Sequence, residues 1–115
     1  MSFQRIEAII RPEKLEPVRQ LLETIGYPGM MVTDIEGHGK QRGTEQQWRG
    51  TRYQTHFLPK IKVEIIVSKA KVKGIVERII DACSTGNVGD GKIFIADVKD
   101  VIRIRTKEKG LRALL

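Results

Sequence analysis

Apolar and polar residues alternate along several stretches of the chain, and each stretch predicts a β-strand. In the first stretch, residues 3–11, the alternation places Ile6, Ala8 and Ile10 on one face, and Pro12 ends the pattern. Residues 61–67 show the same alternation, and further strands are predicted at residues 30–35 (ending at Gly37), 93–98 and 101–105.

Two other stretches place apolar residues at helical spacing. The first predicts a helix from about residue 15 to Gly26, which requires Pro17 to lie in the first turn. The second predicts a helix at residues 72–83, with Ser68 as N-cap and Gly86 as the stop. Its buried face includes Cys83, which we interpret as a core residue because a single cysteine has no internal disulfide partner.

Between the second and third strands, residues 38–59 show no periodicity and are predicted to form a long loop. Connections of this length are usually functional or mobile, although an insertion without a role is the alternative. The loop holds Trp48 and Tyr53 among arginines, a composition suited to docking on another protein.

The element order predicts an α+β fold, the ferredoxin-like βαββαβ sandwich, with a short extra strand at its end. We interpret all 115 residues as a single domain, residues 1–115, that is soluble and cytoplasmic. Two helices would cover one face of the sheet. The other face still carries Ile9 and Ile66, which predicts that it is buried against other subunits.

Residues 84–95 form a glycine-rich turn between the second helix and a strand. Its amides and Lys92 are suited to an anion, and the net charge of +7 also indicates an anionic partner. The turn is not a P-loop, because Ile93 follows the lysine and the helix precedes the glycines. A helix C-cap followed by a tight turn is the alternative interpretation.

In the last predicted strand, Arg103 and Arg105 would project from the same face. Two guanidinium groups on one face are suited to binding a polyphosphate, and a solvated outer surface is the alternative.

Several motifs together make the chain similar to the PII nitrogen-regulatory protein family over nearly its whole length. The motif at residues 85–95 reads TGNVGDGKIFI, and residues 6–12 read IEAIIRP. Further matches are GHGKQ at 37–41, FLPK at 57–60 and IRIRT at 102–106.

The resemblance implies a homotrimer that binds ATP or ADP in clefts between subunits and senses 2-oxoglutarate together with Mg²⁺. It implies a nonenzymatic signalling protein of nitrogen metabolism that docks on an ammonium transporter or on nitrogen-assimilation enzymes through the long loop. It would meet the membrane only through a transporter. The nucleotide-binding residues implied are Gly37, Gly39, Lys40, Gly89, Asp90, Gly91, Lys92, Arg103 and Arg105.

The resemblance also assigns roles to residues of the loop. Gln41 would complete the Mg²⁺ coordination and Lys60 would pair with a carboxylate of 2-oxoglutarate. Arg49 would lead the contact with a target, and Tyr53 is the candidate for covalent modification.

The chain departs from the usual family pattern at several positions. Lys40 stands where an arginine is usual, Met31 where a threonine is usual and Lys107 where a glycine is usual. Around Tyr53 the chain reads WRGTRY, which includes a charge reversal beside the tyrosine. An adenine-nucleotide sensor without a 2-oxoglutarate response is therefore an alternative function.

Two rival functions are weighed against this interpretation. A basic RNA-binding module of the same topology would stack bases on strand aromatics, but only Phe3 and Phe94 lie in predicted strands. An enzyme would need a nucleophile beside a base or a catalytic carboxylate pair, and no motif provides either.

Overall fold

The computed structural model describes residues 2–27, 29–37, 45–48, 51–54 and 58–114. Its strands are β1 (Phe3–Ile10), β2 (Met31–Gly37), β3 (Glu45–Trp48), β4 (Thr51–Gln54), β5 (Leu58–Ser68) and β6 (Gly91–Val98). Its helices are α1 (Leu15–Thr24), α2 (Val72–Cys83) and the short α3 (Leu111–Leu114). One 3-10 turn precedes α1 at Pro12–Lys14, and another precedes α2 at Lys69–Lys71.

Four of the strands form one antiparallel sheet in the order β2-β5-β1-β6. Consecutive strands of each βαβ half are separated by a strand of the other half, which is the ferredoxin-like arrangement. The predicted fold class is therefore confirmed. Pro17 is the third residue of α1 and lies in its first turn, as the sequence predicts.

The core lies between one face of this sheet and helices α1 and α2. Alternate residues of β1 and β5 point into it, and Val18 and Leu22 of α1 pack against them. Each fully buried aliphatic side chain contributes about 1.5–3 kcal/mol. Cys83 is part of this core, as predicted, and its burial raises the pKa of the thiol.

The opposite face of the sheet mixes apolar and charged residues. Phe94 and Met31 are each about half exposed, at 52% and 51%. Between them, Glu7 and Glu64 lie directly opposite each other on β1 and β5. Lys62 bridges the two carboxylates, at 3.1 Å from Glu64 and 3.6 Å from Glu7. These contacts raise the pKa of Lys62 and lower that of Glu64.

Three local predictions need correction. The segment predicted as an unstructured loop contains the antiparallel pair β3 and β4, and β5 already begins at Leu58. The predicted strand at 101–105 is absent, because this segment makes only a single bridge between Ile102 and Lys109 of its own hairpin. Ser68 precedes the 3-10 turn and makes no capping bond with its side chain.

Within the described ranges, no helix is both long enough and apolar enough to span a membrane.

Candidate functional site

The glycine-rich turn connects the end of α2 to the start of β6, as predicted. Its most constrained residue is Gly91, which has a φ of 106°. A Cβ atom there would lie 1.7 Å from the carbonyl oxygen of Ile9 on the neighbouring strand. Glycine is therefore needed at this position both for its backbone conformation and for the close approach of β6 to β1.

The carboxylate of Asp90 organises the interior of this turn. It accepts hydrogen bonds from the backbone amides of Thr85 at 2.8 Å and Gly86 at 3.0 Å, and from the Thr85 hydroxyl. Arg11 adds an ion pair, with 3.2 Å between Nε and Oδ1. The bonds from Thr85, followed by those from Arg11 and Gly86, hold the pKa of Asp90 well below its usual value.

This arrangement reduces the number of backbone amides in the turn that are available to the predicted anion. The amides of Thr85 and Gly86 already bind an internal anion, the Asp90 carboxylate. The Asp90 side chain is used to shape the turn, so its contribution toward a phosphate is limited to its backbone amide.

The backbone carbonyl groups of Val88 and Gly89, in the same turn, both accept hydrogen bonds from basic side chains. Arg11 Nη2 donates to the Val88 carbonyl at 3.0 Å, and Lys60 Nζ donates to the Gly89 carbonyl. The peptide bonds of the described ranges are all trans, so each amide points opposite to the preceding carbonyl. The amides of Gly89 and Asp90 therefore point away from Arg11 and Lys60. In the described part of the chain they donate to no other residue.

Lys60 lies where the long connection returns to the sheet. Its register partner is Ile35, and Leu58, two residues before Lys60, pairs with Gly37 at the end of β2. The Lys60 side chain is partly buried, and this burial, followed by the nearby Arg11 guanidinium, lowers the pKa of its ammonium. A lysine so placed beside the glycine-rich turn is suited to a carboxylate ligand.

Lys92 is the second residue of β6 and is exposed. It lies opposite Ile9 in the sheet register. Beside it, a cleft of about 420 Å³ opens between α2 and β6, within the size range of small-molecule sites. Asp90, Gly91 and Lys92 line one end of this cleft, and the rest is mostly apolar. The turn therefore combines a lysine, an apolar surface and amides that donate to no described residue.

Arg103 does not occupy a strand, and the argument that placed it on one face with Arg105 is wrong. Its guanidinium lies 3.1 Å from Glu108 Oε1 and donates to the Arg112 carbonyl at 2.7 Å. The backbone here forms a turn in which Lys107 donates to the Arg103 carbonyl at 2.8 Å. Arg105 lies within this turn and is exposed.

Several predicted residues lie outside the described part of the chain. These are Gly39, Lys40, Gln41 and Arg49. Tyr53 lies in β4, with its backbone opposite Gln46.

Sequence reasoning missed Arg11, which it included only as part of the motif IEAIIRP and gave no role of its own. The signal that could have identified it is the strand register. Ile10 pairs with Gly91, so the next residue on β1 meets the residue that precedes Gly91, which is Asp90.

Comparison with known proteins gives a consistent result. The family model described as Nitrogen regulatory protein P-II matches residues 3–108. The chain is 45% identical over 112 residues to Nitrogen regulatory protein P-II of Rhizobium meliloti, which covers 97% of this chain and 100% of the relative. It is 49% identical over 112 residues to Nitrogen regulatory protein P-II 2 of Methanothermobacter thermautotrophicus, which covers 97% of each chain.

Among solved structures, the fold is similar to the crystal structure of Arabidopsis thaliana PII bound to citrate. The TM-score is 0.78 at 38% identity, covering 97% of this chain and 89% of that one. Both kinds of comparison confirm the resemblance seen in the motifs: the chain belongs to the nitrogen regulatory protein P-II family.

Proposed function

We propose that this protein is a nonenzymatic signal-transduction protein of nitrogen metabolism that binds ATP or ADP and 2-oxoglutarate. The observation that carries the proposal is the glycine-rich turn. It presents the amides of Gly89 and Asp90 beside Lys92, while Arg11 and Lys60 hold the opposite side of the same peptides. In the described ranges these amides have no hydrogen-bond acceptor, and amides of this kind next to a lysine are suited to phosphate oxygens.

The nucleotide phosphates bind to Gly89, Asp90, Gly91 and Lys92 through this turn, and the apolar part of the adjacent cleft offers a surface for the base. β6 is an edge strand, so a second subunit can complete the site there. The predicted ligands Gly37, Gly39, Lys40, Arg103 and Arg105 belong to this proposal. For Arg103, the guanidinium donors that do not contact Glu108 or Arg112 are the ones available to a phosphate.

The 2-oxoglutarate site is proposed at Lys60, with Gln41 as the ligand to Mg²⁺. A carboxylate of 2-oxoglutarate pairs with the Lys60 ammonium, which lies at the glycine-rich turn. The relative solved with citrate supports a site for small carboxylates in this fold. When bound, Mg²⁺ links oxygens of 2-oxoglutarate to those of the triphosphate.

Regulation is proposed to act through residues 38–59, with Arg49 as the leading contact and Tyr53 as the candidate modification site. The targets are an ammonium transporter or enzymes of nitrogen assimilation. The relatives are named regulatory proteins, which supports a role without catalysis. We place the protein in the cytoplasm, where its ligands are found, and assign it no nucleic-acid partner.

The assembly is proposed to be a homotrimer formed by the open face of the sheet. Half-exposed Phe94 and Met31 on that face supply apolar surface for subunit contact. Light scattering at micromolar concentration should report three chains, and a stable monomer would contradict this part of the proposal.

Isothermal titration calorimetry with ATP, ADP, Mg²⁺ and 2-oxoglutarate tests the proposed function. We expect 2-oxoglutarate to release or absorb heat only when the protein is saturated with Mg-ATP, and not with ADP. Binding of ATP without any response to 2-oxoglutarate would instead indicate the adenine-nucleotide sensor. No binding of either nucleotide would refute both functions.

A further inference from the structure

Arg11 is held in one position by two acceptors of the glycine-rich turn. It follows the last residue of β1, and its side chain is only 20% exposed. Its Nε lies 3.2 Å from Asp90 Oδ1, and its Nη2 donates to the Val88 carbonyl at 3.0 Å. The planar guanidinium therefore spans two groups that are two residues apart in the turn.

The contacts of basic side chains with the turn also fix the direction of two of its backbone amides. Arg11 holds the carbonyl that precedes the Gly89 amide, and Lys60 holds the carbonyl that precedes the Asp90 amide. Because each peptide is planar and trans, fixing its carbonyl also fixes the direction of its amide. Gly89 has a φ of 101°, so its backbone can reach conformations that other residues rarely adopt. Without side-chain contacts these two peptides would have little to hold them in one orientation.

We propose that Arg11 is a positioning residue for anion binding: its two-armed contact with Asp90 and Val88 aims the amides of Gly89 and Asp90 at the phosphates. This inference rests on the proposed nucleotide binding. Arg11 lies on the side of the peptides opposite to the phosphates, so it acts through the backbone and does not contact the ligand. A lysine at this position would keep the charge but would reach only one of the two acceptors.

The effect of the Arg11 charge can be separated from the effect of its contact with two acceptors. The measurement is the ATP affinity of Arg11→Lys and Arg11→Gln by calorimetry. We expect Arg11→Lys to weaken ATP binding by roughly 3- to 10-fold, and Arg11→Gln by more than roughly 10-fold. Arg19→Lys is the matched control, because Arg19 also contacts two acceptors, Glu16 and Glu23, but on the exposed surface of α1. This control should bind ATP as the wild type does.

Amide chemical shifts provide a readout that a general loss of stability would not reproduce. In Arg11→Lys without ligand, the resonances of Gly89 and Asp90 should shift while those of α1 stay in place. Their response to added pyrophosphate should also be weaker than in the wild type. If Arg11→Gln does not fold, Arg11→Lys alone decides between the outcomes.

The outcomes separate this inference from the proposed function. Wild-type protein that binds no ATP refutes the proposed function and this inference with it. Wild-type protein that binds ATP while Arg11→Lys binds equally well, with unchanged Gly89 and Asp90 resonances, refutes the positioning role alone. Weaker binding by Arg11→Lys with a folded chain and an unaffected Arg19→Lys supports it.

Discussion

Asp90 is an internal anion that the folded chain keeps ionised. Its carboxylate has four donors in the turn and on Arg11, and these lower its pKa from an ordinary value of 3.8. A carboxyl with a lowered pKa in the folded state stabilises that state above its unfolded pKa. This stabilisation is lost as the pH falls through the folded pKa. The turn should therefore be weakened only in acid.

Replacement of Asp90 by asparagine tests this charge directly. Asp90→Asn keeps the size of the side chain but removes the ionised acceptor, so its melting temperature at about pH 7 should be lower than that of the wild type. The difference should shrink as the pH falls below about 3.8. Calorimetric melting across this range is the measurement, with Asp81→Asn on the exposed face of α2 as control. A difference that does not depend on pH would show that the charge of Asp90 does not stabilise the turn.

At the scale of elements, the hairpin that is closed by the bridge between Ile102 and Lys109 contains an unfavourable backbone conformation. Lys107 has a φ of 63°, the only positive φ of a non-glycine residue in the described ranges. The left-handed conformation costs an L-residue roughly 1–2 kcal/mol, which glycine avoids. The hairpin nevertheless forms, because Arg103 anchors it to Glu108 and Arg112.

Lys107→Gly should therefore stabilise the protein. We expect a gain of about 0.5–1 kcal/mol in the free energy of unfolding, since the larger entropy of unfolded glycine offsets part of the relief. Urea unfolding at fixed protein concentration measures it. Lys109→Gly is the matched control in the same hairpin, where φ is not positive, and it should be neutral or destabilising. Equal effects of the two changes would refute this account.

The elements that the sequence predicts well are those whose periodicity follows from burial on one face. α2 is found at its predicted residues because Val72, Ile75, Ile79 and Cys83 all point into the core. The predicted strand at 101–105 has the right alternation but pairs with no strand of the described ranges, and alternation cannot reveal whether a neighbour exists. β3 and β4 escaped prediction because these short polar segments have no alternating apolar face.

The site was predictable to the extent that it depends on local sequence. The glycines and Lys92 could be identified because the turn is continuous in the chain. The role of Arg11 depends on the register between β1 and β6, which joins residues 79 positions apart. Register is set by packing of the whole sheet, so it cannot be derived from either strand alone.

At the scale of the whole molecule, the open face of the sheet allows the proposed trimer to be tested with little damage to the fold. Phe94 lies opposite Glu7, so a lysine in its place can pair with that carboxylate within the same subunit. Phe94→Lys should thus remain folded but lose apolar contact between subunits. The concentration needed for half-assembly should rise by at least roughly 10-fold, as measured by sedimentation.

The control variant adds the same positive charge on the side of the sheet that the helices cover, away from the open face. Gln20→Lys lies on the exposed face of α1, four residues after Glu16, and should assemble as the wild type does. Assembly of Phe94→Lys at wild-type concentrations would show that this face does not form the contact between subunits.

Binding of the two proposed ligands should be coupled through Lys60. Lys60 belongs to both sites, because its ammonium holds the Gly89 carbonyl and is also the proposed partner of a 2-oxoglutarate carboxylate. A ligand that engages Lys60 must therefore change the forces on the glycine-rich turn, and the two binding events cannot be independent. By thermodynamic reciprocity, 2-oxoglutarate and Mg-ATP must change each other's affinity by the same factor.

Lys60→Ala should abolish 2-oxoglutarate binding and remove this mutual effect, while it weakens ATP binding alone by only roughly 3- to 10-fold. The partial loss follows because Arg11 still holds the neighbouring Val88 carbonyl. Lys69→Ala, an exposed lysine in the turn before α2, is the control and should leave both affinities unchanged. Calorimetric titration of each ligand in the presence and absence of the other gives all four affinities. Retained 2-oxoglutarate binding in Lys60→Ala, or a coupling factor in that variant as large as in the wild type, would refute the assignment.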